Sequence, residues 1–264
     1  MAGADRTCAT DDAGCSIVIE SLRKSLGGQP VLRDVNLRIP PGETIGIVGR
    51  SGCGKSVLLK HVIGLMWPDA GRVLIDGHDL GQMGREELYR TRHRFGMLFQ
   101  SAALFDSMSV GENIALGLVH NTDMSDAEIR DRVAYCLGQV GLAGLEERMP
   151  SELSGGMKKW AGLARAIALD PEVMLFDEPT TGLDPIMSAV IDEVIAELVE
   201  ELQTTAVVVT HDMRTVNTIC HRVAFLHRGV IFAEGTPEEI SVSEDPVVAQ
   251  FISGSADGPI RPRH

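Results

Sequence analysis

Short apolar runs separated by turn residues fill the chain from about residue 16 to residue 75. The runs at residues 16–20, 35–39 and 72–75 have the length of strands and are rich in aliphatic β-branched residues. Pro40-Pro41-Gly42 follows one of these runs and is a sequence typical of a turn. This part of the chain is therefore predicted to be rich in β-strands.

A helical pattern replaces the strands between about residues 101 and 170. Apolar positions recur near one face over residues 126–140, directly after Ser125, whose hydroxyl makes it a good N-cap. A second helix is expected from near Ser154 to about Ala168. The pattern predicts a helical subdomain inserted between strand-rich flanks.

Strand-like runs return at residues 173–176 and 206–209, with a helical pattern at about residues 186–202 between them. A strand, a helix and a strand in that order indicate parallel strands joined by a right-handed crossover. Two shorter strand-like runs, at residues 223–226 and 230–232, and a small amphipathic segment follow. The predicted fold class is α/β with a mostly parallel core.

The length of 264 residues suits one large α/β domain with a built-in subdomain. Residues 1–15 are small and polar without periodicity, so we expect a flexible N-terminal tail there. The domain is then expected over residues 16–252, with its helical subdomain at about 101–170 and a C-terminal tail over residues 253–264.

Composition narrows the class of protein. The formal net charge of −13 argues against a nucleic-acid partner, whose phosphates require a basic surface. The 5 cysteines form no C-x-x-C pair, which favours a reducing compartment over a disulfide framework. The N-terminus lacks the apolar core of a signal peptide, and no run approaches the roughly 20 apolar residues of a membrane span. We therefore expect a cytoplasmic protein whose membrane role, if it has one, comes through a partner.

A glycine-rich motif follows the apolar run at residues 44–48. It has the pattern G-x-x-x-x-G-K-S of a phosphate-binding loop, set between a strand and a helix. Glycines let backbone N–H groups converge on phosphate oxygens, and the helix N-terminus adds the positive end of its dipole. The lysine would reach the β- and γ-phosphates and the serine would hold Mg²⁺. The predicted nucleotide-binding residues are Gly49, Arg50, Ser51, Gly52, Cys53, Gly54, Lys55 and Ser56.

Two carboxylates end the apolar run at residues 173–176. In a chain with a phosphate-binding loop, Asp177 suits the coordination shell of Mg²⁺, and Glu178 suits proton transfer from an attacking water. An exposed acidic turn before Pro179 is the alternative explanation for this pair. Together with the loop, the pair predicts hydrolysis of ATP.

Three further features are ambiguous when each is taken alone. Leu153-Ser154-Gly155-Gly156 is a glycine-rich step into a helix, which is either an anion site or simply a capped helix start. Gln100 and His211 each follow an apolar strand-like run, where a lone polar residue is commonly structural. The spacing does not tell whether the serine-glycine turn acts on the nucleotide of its own chain or of another.

The order of these features closely resembles the ATP-binding subunit of ABC transporters. The phosphate-binding loop, a glutamine, Leu-Ser-Gly-Gly, an apolar run ending in Asp-Glu and a strand followed by histidine succeed one another over about residues 16–235. Residues 180–184, Thr-Thr-Gly-Leu-Asp, are similar to the D-loop of that family. The resemblance implies an ABC-type P-loop NTPase, with an antiparallel β subdomain and a helical subdomain inserted in a mostly parallel sheet core.

The resemblance also implies how the site works. Two copies would form a head-to-tail homodimer, in which Ser154, Gly155 and Gly156 of one chain close over the γ-phosphate of the ATP held by the other. Gln100 would sense Mg²⁺ and couple to a membrane partner, while His211 would contact the γ-phosphate. The residues implied for catalysis are Glu178, His211 and Gln100, and those implied for Mg²⁺ are Ser56, Gln100 and Asp177.

Three short stretches narrow the resemblance to the phospholipid-trafficking branch, the Mla or MCE-associated transporters. They are residues 99–108, residues 153–159 with Met157 where most of the family carries glutamine, and residues 256–259. The likeness implies a peripheral ATPase on the cytoplasmic face of the cell membrane. It would dock on a separate integral-membrane permease, with an MCE-domain protein and a STAS-domain protein completing the complex.

Three positions depart from the usual residues of the family. Leu26 stands where an aromatic residue usually stacks on adenine, so we expect weaker base stacking and a modest preference for adenine. Trp160 stands where arginine is usual, either as a packing residue at a helix flank or as a lost charge that slows hydrolysis or alters closure. Met157 is shared with the phospholipid branch and is interpreted as a mark of that branch.

Three other functions compete with phospholipid transport. An ABC ATPase for another small solute would have the same motor and would differ only around Gln100 and Met157. A soluble ABC ATPase acting on ribosomes or DNA would typically carry two cassettes or a long coiled coil and a basic face, unlike this chain. A nucleotide-binding regulator without hydrolysis is the third, and trapping of a nucleotide-bound dimer by Glu178→Gln would argue against it.

Overall fold

A computed structural model of the chain describes residues 14–260, and over this range it contains ten strands, nine α-helices and one short 3-10 helix (Pro150–Glu152). The strands are β1 (Ile17–Leu26), β2 (Gln29–Ile39), β3 (Thr44–Val48), β4 (Ala70–Ile75), β5 (His78–Asp79), β6 (Phe95–Leu98), β7 (Val173–Asp177), β8 (Thr205–Thr210), β9 (Arg222–His227) and β10 (Val230–Gly235). The helices are α1 (Lys55–Val62), α2 (Arg85–His93), α3 (Val110–Asn121), α4 (Asp126–Gln139), α5 (Gly155–Ile167), α6 (Pro185–Leu202), α7 (Met213–Ile219), α8 (Pro237–Ser241) and α9 (Pro246–Ser253).

The strands form two sheets. A four-stranded antiparallel sheet has the order β2-β1-β4-β5, and a six-stranded sheet has the order β10-β9-β3-β8-β7-β6. Pairing in the larger sheet is parallel except at its edge, where β10 runs antiparallel to β9. The predicted crossover through α6 joins the neighbouring parallel strands β7 and β8. The predicted α/β fold, with a separate antiparallel sheet and a mostly parallel core, is confirmed.

The centre of the larger sheet is buried on both faces. Every residue of β3, β7 and β8 is buried, which explains why these strands are continuous apolar runs rather than alternating ones. Ile45 and Ile47 face a core shared with the antiparallel sheet, whereas Val48 and Val208 belong to a core shared with the helices. Because the three strands are parallel neighbours, their carboxyl ends meet at one edge of the sheet, where ligands bind in folds of this kind.

The predicted helical subdomain corresponds to α3, α4 and α5, which lie between β6 and β7 in the chain. Capping boxes begin two of these helices. Ser109 pairs reciprocally with Glu112 at the start of α3, and Ser125 with Glu128 at the start of α4. Within residues 14–260, no helix combines the length and the apolar character that crossing a membrane requires.

The ends of the domain differ from the prediction. Cys15 was expected in a flexible tail, but it is buried and its N–H donates to Thr205 Oγ1 at 3.1 Å. The predicted N-terminal tail is therefore wrong at residue 15, and residues 1–13 of it lie outside the described residues.

At the other end, the Ile260 N–H donates to Gln250 Oε1 at 2.6 Å and Ile260 is buried, so residues 254–260 fold back onto α9. Residues 261–264 of the predicted C-terminal tail also lie outside the described range.

Helix α2 was not predicted. Its sequence is strongly charged and buries one residue, Thr91, so no apolar stripe announces it. Charges complement its dipole, with Glu86 and Glu87 in the first turn and basic residues in the last turn, and Leu88 packs against the core. So few core-facing positions leave no apolar periodicity in the sequence from which the helix could be predicted.

Candidate active site

The glycine-rich turn at residues 49–54 joins the carboxyl end of β3 to the N-terminus of α1. Gly49 has φ 155° and leaves no room for a side chain, since a Cβ atom there would collide with the Leu226 carbonyl oxygen. Gly54, with φ 111°, is the N-cap of α1 and offers no side chain to its free N–H groups. Because the first turn of α1 contains no acidic residue, its N–H groups and its dipole remain directed at an anion.

Lys55 and Ser56 connect this loop to the two carboxylates at the end of β7. Lys55 is only 5% exposed, and its Nζ donates to the Gly49 carbonyl oxygen at 2.8 Å and pairs with Glu178 Oε1 at 3.4 Å. The Ser56 hydroxyl donates to Asp177 Oδ1 at 2.9 Å. The loop and both carboxylates thus lie together at one site.

Glu178 is held by partners from three segments. Its Oε2 accepts hydrogen bonds from His211 Nδ1 at 2.7 Å and from Thr181 Oγ1 at 3.1 Å, while its Oε1 faces Lys55. Its backbone lies in the left-handed region with φ 52°, and its N–H donates to the Val209 carbonyl oxygen at 2.8 Å. Glu178 is therefore a buried, positioned carboxylate, which excludes the alternative of an exposed acidic turn.

A cavity of about 460 Å³ unites most of the predicted residues. Gln100 is exposed and lies in its wall. Arg50 and Cys53 instead line a neighbouring cavity of about 890 Å³ on the other side of the loop. The residues that line the first cavity are Leu26, Val31, Ser51, Gly52, Gly54, Lys55, Ser56, Val57, Gln100, Glu178, Thr181 and His211.

The serine-glycine turn lies elsewhere. Ser154 is the N-cap of α5, and its hydroxyl accepts a hydrogen bond from the Met157 N–H at 3.2 Å. Ser154 and Gly155 are exposed, and neither they nor Gly156 are among the described residues that line the cavity. The structure of one chain therefore brings together the loop, both carboxylates, Gln100 and His211, but not the serine-glycine turn.

The donor set at the loop fits a hard cation. A hydroxyl oxygen and a carboxylate oxygen of Ser56 and Asp177 lie together, and such oxygens are the ligands that Mg²⁺ prefers alongside phosphates. Burial raises the pKa of Asp177, an effect that the Ser56 hydroxyl opposes and the neighbouring Glu178 charge reinforces. Among residues 14–260, no cluster of three histidines, cysteines or acidic residues could hold a metal ion by itself. One hydroxyl and one carboxylate leave the other coordination positions to water and phosphate oxygens, which suits a metal ion bound together with a nucleotide.

The structure supports packing as the explanation for Trp160. The indole is only 7% exposed and belongs to the hydrophobic core that α5 shares with the helical subdomain and the large sheet. Met157 is half-buried and packs against the same core. An effect of the missing arginine charge on hydrolysis or closure stays a prediction.

Leu26 lines the same cavity as the loop, with 41% of its surface exposed, which fits the expectation that it faces the base. We expect Leu26→Tyr to bind ATP about two- to tenfold more tightly, because a phenol ring adds the stacking that an aliphatic side chain lacks. Equilibrium binding of ATP and GTP measures the effect, which should be larger for ATP. Leu65→Tyr, at an exposed leucine outside the cavity, is the matched control. Unchanged affinities in Leu26→Tyr would contradict the hypothesis.

Sequence reasoning missed several residues that support this site. Thr181 was noted only as part of the D-loop, although its hydroxyl holds Glu178. Behind it, the Thr215 hydroxyl donates to Asp192 Oδ2 at 2.9 Å and lies 3.4 Å from the Thr180 hydroxyl. These polar positions sit on α6, on α7 and in the turn after β7, and only the tertiary structure brings them together.

Asp192 predicts a pH dependence of stability. It is 3% exposed, Oδ1 has no hydrogen-bond partner within the described chain, and burial raises its pKa to about 6 despite the Thr215 hydroxyl. Since an unfolded aspartate titrates near pH ~3.9, the folded chain binds more protons between these values. The free energy of unfolding therefore falls as pH rises towards 6.

We accordingly expect Asp192→Asn to gain stability relative to the parent as pH rises, by about 1.4 kcal/mol between pH ~5 and ~8. Asparagine keeps an oxygen for Thr215 but carries no charge to desolvate. Urea unfolding at both pH values measures the change. Glu193→Gln, at the exposed neighbouring residue on α6, is the matched control. A difference between Asp192→Asn and parent that stays the same at both pH values would contradict the prediction.

Comparison with known proteins gives consistent matches. A family model described as ABC transporter matches residues 32–181. A probable ribonucleotide transport ATP-binding protein, mkl, from Mycobacterium bovis is 43% identical over 247 residues, covering 94% of this chain and 69% of the relative. The intermembrane phospholipid transport system ATP-binding protein MlaF from Haemophilus influenzae is 42% identical over 245 residues, covering 93% of each chain.

Solved structures agree with the sequence matches. The dimeric, post-hydrolysis structure of the ATP-binding cassette MJ0796, bound to ADP and inorganic phosphate, is similar with a TM-score of 0.77 and 32% identity. The match covers 84% of this chain and 98% of that cassette. The loop, the carboxylates and the serine-glycine turn all lie within residues 32–181, the range that the family model matches.

Proposed function

The chain belongs to the ABC transporter family and is an ATPase, and from this premise we propose that it powers the movement of phospholipid between membranes through a separate permease. The observation that carries the proposal is the 42% identity to a phospholipid transport ATP-binding protein across 93% of both chains. We further propose that the chain acts at the cytoplasmic face of the cell membrane, bound to the permease.

ATP would bind at the loop of residues 49–56. The N–H groups of the loop and of the first turn of α1 would face the phosphates, and Lys55 would turn from the Gly49 carbonyl towards the β- and γ-phosphates. Phosphate oxygens beside Lys55 would also weaken its ion pair with Glu178. The carboxylate would then be available as a base.

Glu178 is proposed to accept the proton of the attacking water. His211 and Thr181 both donate to Oε2, which fixes the carboxylate and leaves Oε1, once Lys55 has turned to the phosphates, as the oxygen that would accept the proton. Nδ1 of His211 donates to Glu178, so Nε2 is the ring nitrogen left to face the γ-phosphate, to which it can donate only in the imidazolium form. When bound, Mg²⁺ neutralises charge on the transferred phosphoryl group, and Ser56, Asp177 and Gln100 are the residues that would hold it.

A second copy of the chain is proposed to complete the site. Ser154 and Gly155 are exposed at the start of α5, and Gly156 follows them, so this helix N-terminus is suited to bind phosphate outside the cavity of its own chain. In a head-to-tail dimer this turn would cover the γ-phosphate held by the partner. Binding of two ATP molecules would close the dimer and hydrolysis would reopen it, moving the permease docked near Gln100 and the helical subdomain.

The name of the mycobacterial relative supports a second candidate, an ABC ATPase for ribonucleotides, because its identity of 43% is equally high. The motor would be the same in both cases. The two candidates therefore differ in cargo and in the proteins that accompany the permease. For phospholipid transport we propose an MCE-domain protein and a STAS-domain protein, and no nucleic-acid partner.

Purification of the affinity-tagged chain from its own cell membranes tests the cargo. The complex is expected to contain an integral-membrane permease, an MCE-domain protein and a STAS-domain protein, and to carry phospholipid detectable by mass spectrometry of the extract. Membranes that express the same tag on an unrelated ATPase provide the lipid background. A permease complex with phospholipid at that background, or with bound ribonucleotide, would refute the proposed cargo.

A further inference from the structure

A buried lysine joins the helix that begins with the serine-glycine turn to the segment that carries Glu178. Lys159 lies in the second turn of α5 and is only 6% exposed. Its Nζ donates to the carbonyl oxygens of Pro179 at 2.6 Å and Thr181 at 2.7 Å, and lies 3.4 Å from that of Glu178. An ammonium group has three N–H donors, so each donor has an acceptor in this one short segment.

The segment requires a firm partner because of its backbone conformation. Glu178 has φ 52° directly before Pro179, a left-handed conformation that a non-glycine residue keeps only when its surroundings hold it. Burial lowers the pKa of Lys159, and the Glu178 charge acts in the opposite direction. The three carbonyl oxygens thus solvate the buried ammonium group, and the ammonium group in turn holds the backbone of residues 178–181 in place.

A second contact ties the first turn of α5 to the same part of the chain. A Cβ atom on Gly156 would lie 3.4 Å from Met187 Cε and 3.8 Å from Leu183 Cδ2. Leu183 follows the segment held by Lys159, and Met187 lies in the first turn of α6. The serine-glycine turn therefore rests on the continuation of the segment that the lysine holds.

We propose that Lys159 is a positioning residue that couples the ATP site of its own chain to the serine-glycine turn that the chain offers to its partner. The inference rests on the proposed function, because it assumes a dimer with shared sites. On one side, a γ-phosphate orders Glu178 through Lys55 and His211. On the other side, the ammonium group holds α5 more firmly when Glu178 is ordered. ATP bound in one chain therefore favours closure of that chain's serine-glycine turn over the ATP site of the partner.

Hydrogen exchange of the full chain tests this coupling. The chain is diluted until light scattering gives the mass of the monomer, and exchange is measured with and without a non-hydrolysable ATP analogue and Mg²⁺. In the parent, the analogue should slow exchange of the amides at residues 158–161 by about fivefold or more. Lys159→Met should abolish this slowing, whereas Lys159→Arg, which keeps the charge, should retain part of it. Lys158→Met, at the adjacent residue, should behave as the parent.

Protection of the loop at residues 51–57 separates the possible failures. The coupling would be overturned if the analogue still slowed exchange at residues 158–161 in Lys159→Met. It would also be overturned if the analogue protected the loop of the parent but did not slow exchange at residues 158–161. A parent whose loop gains no protection would instead refute the nucleotide binding on which the proposed function depends. Loop protection in Lys159→Met shows that the variant is folded, and Lys159→Gln takes its place in the comparison if methionine prevents folding.

Discussion

Glu178→Gln is expected to lower the turnover of ATP by about 100-fold or more while leaving ATP binding intact, because an amide cannot accept the proton of the attacking water. Glutamine has the size of glutamate and can still accept hydrogen bonds from His211 and Thr181 through its carbonyl oxygen. The fold and the nucleotide cavity should therefore survive the change. Steady-state phosphate release measures turnover, and equilibrium binding of ATP measures the cavity.

Glu172→Gln is the matched control for this prediction. Glu172 precedes β7, at the opposite end from Glu178, and its exposed carboxylate pairs with Arg94. An exposed ion pair contributes at most about 1 kcal/mol, so the control should keep its turnover. If Glu178→Gln retained more than a tenth of the parent turnover, another group would have to serve as the base, and the role assigned to Glu178 would be wrong.

Ser154→Arg is expected to lower turnover to a similar extent, although Ser154 lies outside the cavity of its own chain. A bulky cation at the start of α5 would block the approach of this turn to the partner's γ-phosphate, and loss of a phosphate-binding group costs about 100-fold or more in rate. ATP binding to the single chain should change less than about twofold, because Lys55 and the loop are untouched.

Ser125→Arg separates this effect from the loss of a helix cap. Both serines are N-caps whose hydroxyls accept from a backbone N–H three residues on, so both changes cost about 1 kcal/mol in helix stability. Only Ser154 is proposed to face a second copy. Full turnover in Ser154→Arg, or an equal loss in Ser125→Arg, would contradict the shared site.

The residues at the sheet edge could be predicted because neighbouring parallel strands all end at the same edge of the sheet. A glycine-rich loop after β3, carboxylates after β7 and a histidine after β8 must converge once the strands are parallel, as Ser56, Asp177 and His211 do. The apolar runs that revealed these strands are long enough to be read without tertiary information. The position of Ser154 outside this cavity needed the structure, since spacing along the chain does not say which chain a turn serves.

Other features depend on contacts between distant segments. Cys15 is buried because Thr205, 190 residues away, bonds its backbone, and nothing local distinguishes it from the preceding tail. Trp160 could be assigned to packing only once the helical subdomain surrounded it. Lys159 is one of two adjacent lysines in the sequence, and only burial separates it from its neighbour. Buried polar residues are difficult to predict from sequence because their partners come from other elements.

The molar mass of Glu178→Gln in solution, with and without ATP, tests most directly that two copies share each ATP site. Without ATP the chain should have the mass of a monomer, 28.4 kDa, and with ATP it should have twice that mass. Adding Ser154→Arg to the same chain should keep it monomeric while it still binds ATP. A Glu178→Gln chain that binds ATP but stays monomeric, or a dimer that forms despite Ser154→Arg, would contradict the shared site.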